Sequence, residues 1–376
     1  MSYRIPFHAY RLSLEEEKAV GETLNSGWLT SGSQVSSFEN EFSEYIGPGF
    51  YSAAVSSCTS ALFLTLYALE LPKHSAVLVP SFNYVSDVLA IIHNNLRPVL
   101  VDISPEDYNF DYNEIINKAT SDVRAVVVVH YAGNPCRMDE IIKLCMDKDL
   151  VLIEDCAHAI ESRYYGVKAG TFGFASVFSF YPNKNITSAE GGMIISKDFD
   201  FIQKCKRLRN HGIEIDAYAQ HKEFALRNFD ISIPGFKMNM SDIHAALGRV
   251  QLKSIEPMHQ RRLNIFNMYD QLLNKSNIRI VVKKDENILN AHHFLPIEVD
   301  ESVRNNLATN LIKNGVQPSM HYKPVHKFTF ARNCEWSNVD LPNTELAYKR
   351  QLSLPVYPNM TESDVEFVCK VVNQSV

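Results

Sequence analysis

A lysine, a pair of adjacent acids and a cluster of small hydroxyl residues are the groups in this chain whose types and spacing suit chemistry. Lys184 lies in Phe178-Ser179-Phe180-Tyr181-Pro182-Asn183-Lys184-Asn185-Ile186, a turn between two apolar runs, the second introduced by Gly191-Gly192. A lysine whose surroundings lower its pKa can form a Schiff base with a carbonyl compound. Read alone, the segment fits a solvated loop lysine better. Glu154 and Asp155 end the apolar run Val151-Leu152-Ile153. Carboxylates there are costly to bury unless a cation meets them, either a core arginine or the protonated ring nitrogen of a ligand. Val55-Ser56-Ser57-Cys58-Thr59-Ser60-Ala61-Leu62 passes from a strand-like start through small polar residues into an apolar helical run. A helix beginning there presents backbone N–H groups and a positive dipole end to a phosphate. An ordinary helix cap is the alternative for Thr59 and Ser60.

These groups fall at the ends of short β-branched runs at 77–79, 98–101, 125–129, 151–153, 175–180 and 193–195. Most are apolar on both faces and alternate with helical patterns, as a parallel sheet covered by helices on either side requires. Ligands of open parallel sheets gather at the carboxyl ends of strands. Pro80-Ser81-Phe82-Asn83-Tyr84, Glu154-Asp155 and Ser179 stand at such ends. Ser241-Asp242 can cap a helix through Ile243, Ala246, Leu247 and Val250 that continues through Leu252 toward Met258. Beyond it, residues 278–282, 294–299 and 317–322 read as strands and about 301–314 and 361–374 as helices. The expected architecture is α/β, with a large domain over 1–250 and a smaller α+β domain over 251–376.

The 376 residues are 45% hydrophobic and 21% charged, the usage of a globular protein. Lys+Arg 37 against Asp+Glu 43 leaves a net charge of -6, which argues against a nucleic-acid partner. No apolar run approaches the ~20 residues that span a bilayer, and the first six residues lack the apolar stretch of a secretory signal. Seven cysteines, at 58, 136, 145, 156, 205, 334 and 369, form no C-x-x-C pair. Neither a disulfide framework nor a structural zinc site is suggested, and a reducing cytoplasm is expected.

Taken together, an anion cup, an acid and a Schiff-base lysine in that order resemble the parts of a pyridoxal phosphate (PLP) enzyme. The sequence is similar to the DegT/StrS sugar aminotransferases, fold-type-I enzymes that build amino sugars on nucleotide carriers. The resemblance runs through Ser26-Gly27-Trp28-Leu29-Thr30, Ser57-x-Thr59-Ser60-Ala61-Leu62, Pro80-Ser81-Phe82-Asn83-Tyr84-Val85 and His130-Tyr131-Ala132-Gly133. It continues through Glu154-Asp155-Cys156-Ala157-His158-Ala159, Ser179-Phe180-x-x-x-Lys184, Glu190-Gly191-Gly192 and Gly235-Phe236-Lys237-Met238-Asn239-Met240-Ser241-Asp242. His321-Tyr322-x-Pro324-x-His326 and Leu354-Pro355-x-Tyr357-Pro358 complete it.

The resemblance implies a mixed, mostly parallel sheet flanked by helices in the large domain. It makes Lys184 the Schiff-base and acid–base residue and Asp155 the partner of the ring nitrogen. Thr59, Ser60 and Ser179 would hold the phosphate, and Tyr84 would stack on the ring. His158 stands where many relatives carry a glutamine near the phenolic oxygen; titration near neutrality would add pH dependence. Lys237-x-Asn239 corresponds to a loop that donates to the phosphate of the neighbouring subunit's cofactor, so a homodimer with shared sites is implied. Arg209, His321 and His326 are the candidates for a substrate diphosphate. A structural role is as compatible with the two histidines, and no third ligand in a tight motif makes them a metal site.

The implied reaction moves an amino group from L-glutamate to a keto-hexose on a nucleoside diphosphate, for O-antigen, lipopolysaccharide or other glycan synthesis. The 4-keto position of a 4-keto-6-deoxyhexose is preferred, because Ile5-Pro6-Phe7-His8 and the 235–242 loop look more like the 4-aminating relatives. A 3-aminotransferase, a PLP-dependent sugar dehydratase and a non-catalytic PLP-binding regulator are the alternatives. The dehydratase subgroup carries histidine where this chain has Lys184.

Overall fold

The computed structural model describes residues 3–213, 230–282 and 285–376. A seven-stranded sheet has the order Tyr51–Val55, Gly192–Ser196, Ala175–Ser179, Val151–Asp155, Val123–Val129, Ala76–Pro80, Arg97–Val101. Only Gly192–Ser196 runs against the rest. Alternate residues feed two separate cores. Val77, Val79, Val127 and Ile153 face one layer of helices, while Leu78, Val126, Val128 and Leu152 face the other. Burial on both faces explains why these strands read as unbroken apolar runs.

The parallel strands bring Val55, Pro80, Val129, Asp155 and Ser179 to one edge of the sheet. The antiparallel strand begins at that same edge, with Gly192 in register with Val55 on one side and Ser179 on the other. Loops and helix starts from distant parts of the chain are therefore gathered along a single line.

A second, three-stranded sheet of Arg279–Ile280, Leu295–Glu298 and Gln351–Leu354 packs with Ile255–Leu272, Glu301–Lys313 and Glu362–Asn373 around its own core. Ile5 belongs to this core and bridges Val316. The expected helix from Asp242 toward Met258 is two helices, Asp242–Lys253 and Ile255–Leu272, broken at Ser254. The first packs on helices Leu14–Asn25 and Ser33–Ile46, the second on Glu362–Asn373, so the chain changes course between two cores. Residues 317–322, expected as a strand, make one bridge between Ser319 and Ser353 and then turn toward the large sheet. Strand Gln351–Leu354 takes the place beside Leu295–Glu298 instead. Among the described residues no helix is long and apolar enough to cross a membrane.

Candidate active site

The carboxyl edge of the large sheet encloses a cavity of about 380 Å³ whose lining includes Thr59, Tyr84, Asp155, His158, Ser179 and Lys184. Its floor at one end is the start of helix Cys58–Ala68, where the Ser57 side chain accepts the Ser60 N–H at 3.1 Å. Gly192 lets the neighbouring strand come this close. A Cβ there would lie 2.6 Å from the Ser57 carbonyl carbon and oxygen. Ser57, Cys58 and Thr59 reach the cavity. Ser60 does not: its hydroxyl is held by Ser56 Oγ at 3.0 Å and Ser57 Oγ at 2.9 Å, so the side chain builds the turn instead of lining the pocket.

The two acids of strand Val151–Asp155 part because successive side chains point to opposite faces. Glu154 accepts backbone N–H groups of Gly170 at 2.7 Å, Phe172 at 2.8 Å and Gly173 at 2.7 Å, and meets His130 Nε2 at 3.1 Å. It is met by backbone donors and a histidine, not by an arginine or a ligand. Asp155 faces the cavity and accepts the Ala157 N–H at 2.8 Å. Burial raises its pKa, against the opposing pull of the Ala157 N–H and the Lys184 cation.

The Lys184 side chain opens into the cavity, and its amine makes no hydrogen bond or ion pair with any described residue. Burial lowers its pKa, although Asp155 and Cys58 act the other way. His158 Nε2 lies 2.9 Å from the Tyr322 hydroxyl, and its ring stacks on His293 with centroids 4.5 Å apart. Burial, then Lys184 and His321, hold its pKa well below the usual histidine value. Burial therefore disfavours the charged ring near neutrality and leaves His158 the role of a neutral hydrogen-bonding group. Tyr84 stands at the mouth, 60% exposed.

The substrate candidates separate. His321 lines the cavity, stacks on Phe294 and has Nδ1 2.8 Å from Ser353 Oγ. His326 lies outside it, with Nδ1 2.7 Å from Ser81 Oγ and Nε2 2.8 Å from Glu345. Arg209 is also outside, its guanidinium committed to buried Glu39 and the Ala54 carbonyl. Both ring nitrogens of His326 are engaged by the protein, and Arg209, held through Nη1, lines a different pocket, so neither lines this chain's own cavity. Asn239 does not line it either; its amide donates to Ser31 Oγ at 2.6 Å on another face of the chain.

Sequence reading missed Asp87, Asn183, His293 and Tyr322. Asp87, in the first turn of helix Ser86–His93, is buried against Asp155 and bonded by Asn83. The only local signal was an acid in a helical first turn, which ordinarily serves the helix itself.

Two buried atoms at the cavity, His158 Nδ1 and Asn183 Oδ1, have no hydrogen-bond partner among the described residues. Buried polar groups without partners are rare, and their clustering around an unpaired lysine marks a place built for a polar ligand. A helix start suited to phosphate, an acid suited to a ring cation and an amine suited to an aldehyde fit PLP. Among the described residues the group with metal-ligand spacing is His130, Glu154 and Cys156; the first two are already hydrogen-bonded to each other.

Fold and site together define a fold-type-I PLP enzyme of the transaminase class. The chain belongs to the DegT/DnrJ/EryC1/StrS aminotransferase family, whose model matches residues 11–373. It is 34% identical over 378 residues to the spore coat polysaccharide biosynthesis protein SpsC of Bacillus subtilis, covering 99% of this chain and 97% of that protein. Spr1654 of Streptococcus pneumoniae in its PMP form superimposes with a TM-score of 0.93 at 28% identity, covering 99% of both chains. PLP and apo forms of that protein are similar too. PseC of Helicobacter pylori, an aminotransferase involved in the biosynthesis of pseudoaminic acid, gives 0.92 at 25% identity, with 100% of this chain and 99% of that one covered. The protein is a PLP-dependent transaminase.

Proposed function

We propose that this enzyme moves an amino group from L-glutamate to C4 of a 4-keto-6-deoxyhexose carried on a nucleoside diphosphate, and that two chains share each site. The observation that carries the reading is Lys184, unpaired in a cavity it shares with Asp155, His158 and the start of helix Cys58–Ala68. A sugar acceptor is supported by SpsC and PseC, whose described roles are in making saccharide products. The preference for C4 rests on residues 5–8 and 235–242, and the enzyme would work in the cytoplasm.

PLP, when bound, supplies the aldehyde that carries the amino group and the conjugated ring that accepts the electron pair left by a departing proton. Around it, the N–H groups at Ser57–Thr59 and the hydroxyls of Thr59 and Ser179 would hold the phosphate. Asp155 would keep the ring nitrogen protonated, and Tyr84 would cover the ring. If Tyr322 donates to Nε2, His158 keeps its proton on Nδ1 and can donate it to an oxygen of the cofactor. Lys184 Nζ, with its pKa lowered by burial, is a base as the neutral amine. It would take the α-proton of the donor and return a proton to the sugar carbon. Of the three diphosphate candidates, His321 lines the chain's own cavity and would meet the acceptor there.

The shared site is supported by Asn239 lining a second pocket with Arg207 and Arg209 instead of its own chain's cavity. The division into two domains would fall at the break at Ser254, with the segment around Ile5 docked on the smaller one.

The test is product analysis against thymidine-, uridine- and guanosine-linked keto-sugars with glutamate as donor. One amino sugar is expected from a 4-keto substrate; equal reaction of the free keto-hexose would sink the nucleotide-sugar assignment. For the shared site, inactive Lys184→Ala subunits are mixed with Asn239→Ala subunits. Activity above either parent is expected once exchange is verified, and no rise would rule out sharing.

A further inference from the structure

Beneath the cavity, Asp87 and Asp155 come from different elements, the first turn of helix Ser86–His93 and the end of strand Val151–Asp155. Both are buried, 1% and 5% exposed, and their carboxyl groups are within hydrogen-bonding reach of each other. Asn83 donates its amide to Asp87 Oδ2. Asp87 Oδ1 is buried with no donor among the described residues. Two carboxylates cannot hydrogen-bond unless one keeps a proton, and close buried pairs of this kind share one.

We propose that Asp87 is the proton-holding member of this pair, a positioning residue that donates a hydrogen bond to Asp155 and so keeps Asp155 available as the carboxylate facing the ring nitrogen. Asp87 Oδ2 accepts from Asn83, and the proton on Oδ1 supplies the hydrogen that the contact with Asp155 requires. With the Ala157 N–H also on Asp155, the acid is held by two donors and keeps acceptor capacity for a cation in the cavity.

The surroundings decide which acid keeps the proton. The cations that act on the pair, Lys184 first and then His130, act on Asp155. Asp87 faces Asp155, Cys58 on the neighbouring helix and Tyr322 from the 317–322 segment. Burial, foremost, keeps both the thiol and the phenol neutral, so neither offers Asp87 a charge to offset its own. The helix N-terminus favours an ionised Asp87. Burial, followed by the neighbouring Asp155, outweighs it and raises the Asp87 pKa well above the usual carboxylate range.

The catalytic meaning rests on the reading of Asp155 given above, but the shared proton is a property of the protein without cofactor. An acid with a raised folded-state pKa contributes stability in full below its unfolded value, about 4, and loses it as pH rises through the folded value. Within that window the unfolding constant rises about tenfold per pH unit for one retained proton. The experiment is urea unfolding of cofactor-free wild type and Asp87→Asn from pH 5 to 9. Comparing the two slopes removes the contribution of histidines common to both. Asp87→Asn is expected to lose up to that tenfold-per-unit dependence; an unchanged slope overturns the proposal. Should Asp87→Asn not fold, Asp155→Asn serves: it removes the like charge while burial of Asp87 remains, so the slope should fall in part, and an unchanged slope overturns the proposal.

A second measurement isolates positioning. Asp87→Asn keeps a donor for Asp155 and Asp87→Ala does not, so cofactor retained after dialysis should be higher in the asparagine variant, and equal retention overturns the positioning role. Failure here leaves the aminotransferase reading intact. Amino transfer by Lys184→Ala would defeat that reading while leaving the proton pair standing.

Discussion

Glu154 and Asp155 are neighbours in one strand with the same charge, yet they stand in opposite kinds of surroundings. On one face of the sheet, Glu154 is saturated by three backbone donors and His130. On the other, Asp155 shares a cavity with Lys184 and His158, and partnerless buried atoms lie around it. A fully satisfied buried charge holds loops in place and has nothing left to offer a ligand. A partly satisfied one is costly until something binds. The difference teaches that burial alone does not mark an active-site acid; unspent hydrogen-bonding capacity does.

The comparison breaks most visibly at Lys184. Lys184→Ala should abolish turnover and the visible absorption of the bound cofactor while leaving the unfolding midpoint close to wild type, as checked by absorbance and urea titration. Retained amino transfer would falsify its assignment. Asp155→Ala comes next, with turnover down by orders of magnitude and a stability loss smaller than that of Glu154→Ala, since it leaves only the Ala157 N–H and the Asp87 proton without their acceptor. Nearly normal turnover would move Asp155 into the structural class.

Glu154→Ala should show the reverse pattern. Removing a carboxylate that satisfies three N–H groups and His130 leaves them buried without a partner, at a cost of about 3–5 kcal/mol. Chemical denaturation should register this loss, with single-turnover rates of the folded fraction near wild type. A stable but inactive Glu154→Ala would merge the two faces that the structure separates.

The smallest effect concerns acid. Burial, then the Lys184 charge, brings the His321 pKa down to about 3. In the unfolded chain it would take up a proton near pH 6.5. Its contribution to stability is therefore complete above about pH 6.5 and is lost as pH falls toward the folded value, by up to about tenfold in the unfolding constant per pH unit. His321→Asn should remove that dependence between pH 6 and 4, read as the difference in slope from wild type. Parallel curves would mean that His321 is already charged in the folded protein.

The motifs around Lys184, Asp155, Thr59 and Ser179 were legible because chemistry restricts residue type and local order. An apolar strand ending in an acid, or a hydroxyl cluster opening a helix, is a pattern over a few neighbouring positions. The sheet was legible for a similar reason: strands buried on both faces must be apolar throughout, as residues 125–129 are. What the chain could not announce in sequence is which polar atoms remain unspent after folding. Arg209 and His326 read as free cations, and only the fold brings Glu39 and the Ala54 carbonyl to the first, and Ser81 and Glu345 to the second. Asp87 carried no reading in the sequence, and only the fold sets the end of strand Val151–Asp155 against it. Residue type and spacing determine which chemistry is available along the chain. Which groups keep it depends on partners tens to hundreds of residues away, because a buried hydrogen bond or charge is settled by whatever long-range packing delivers to it.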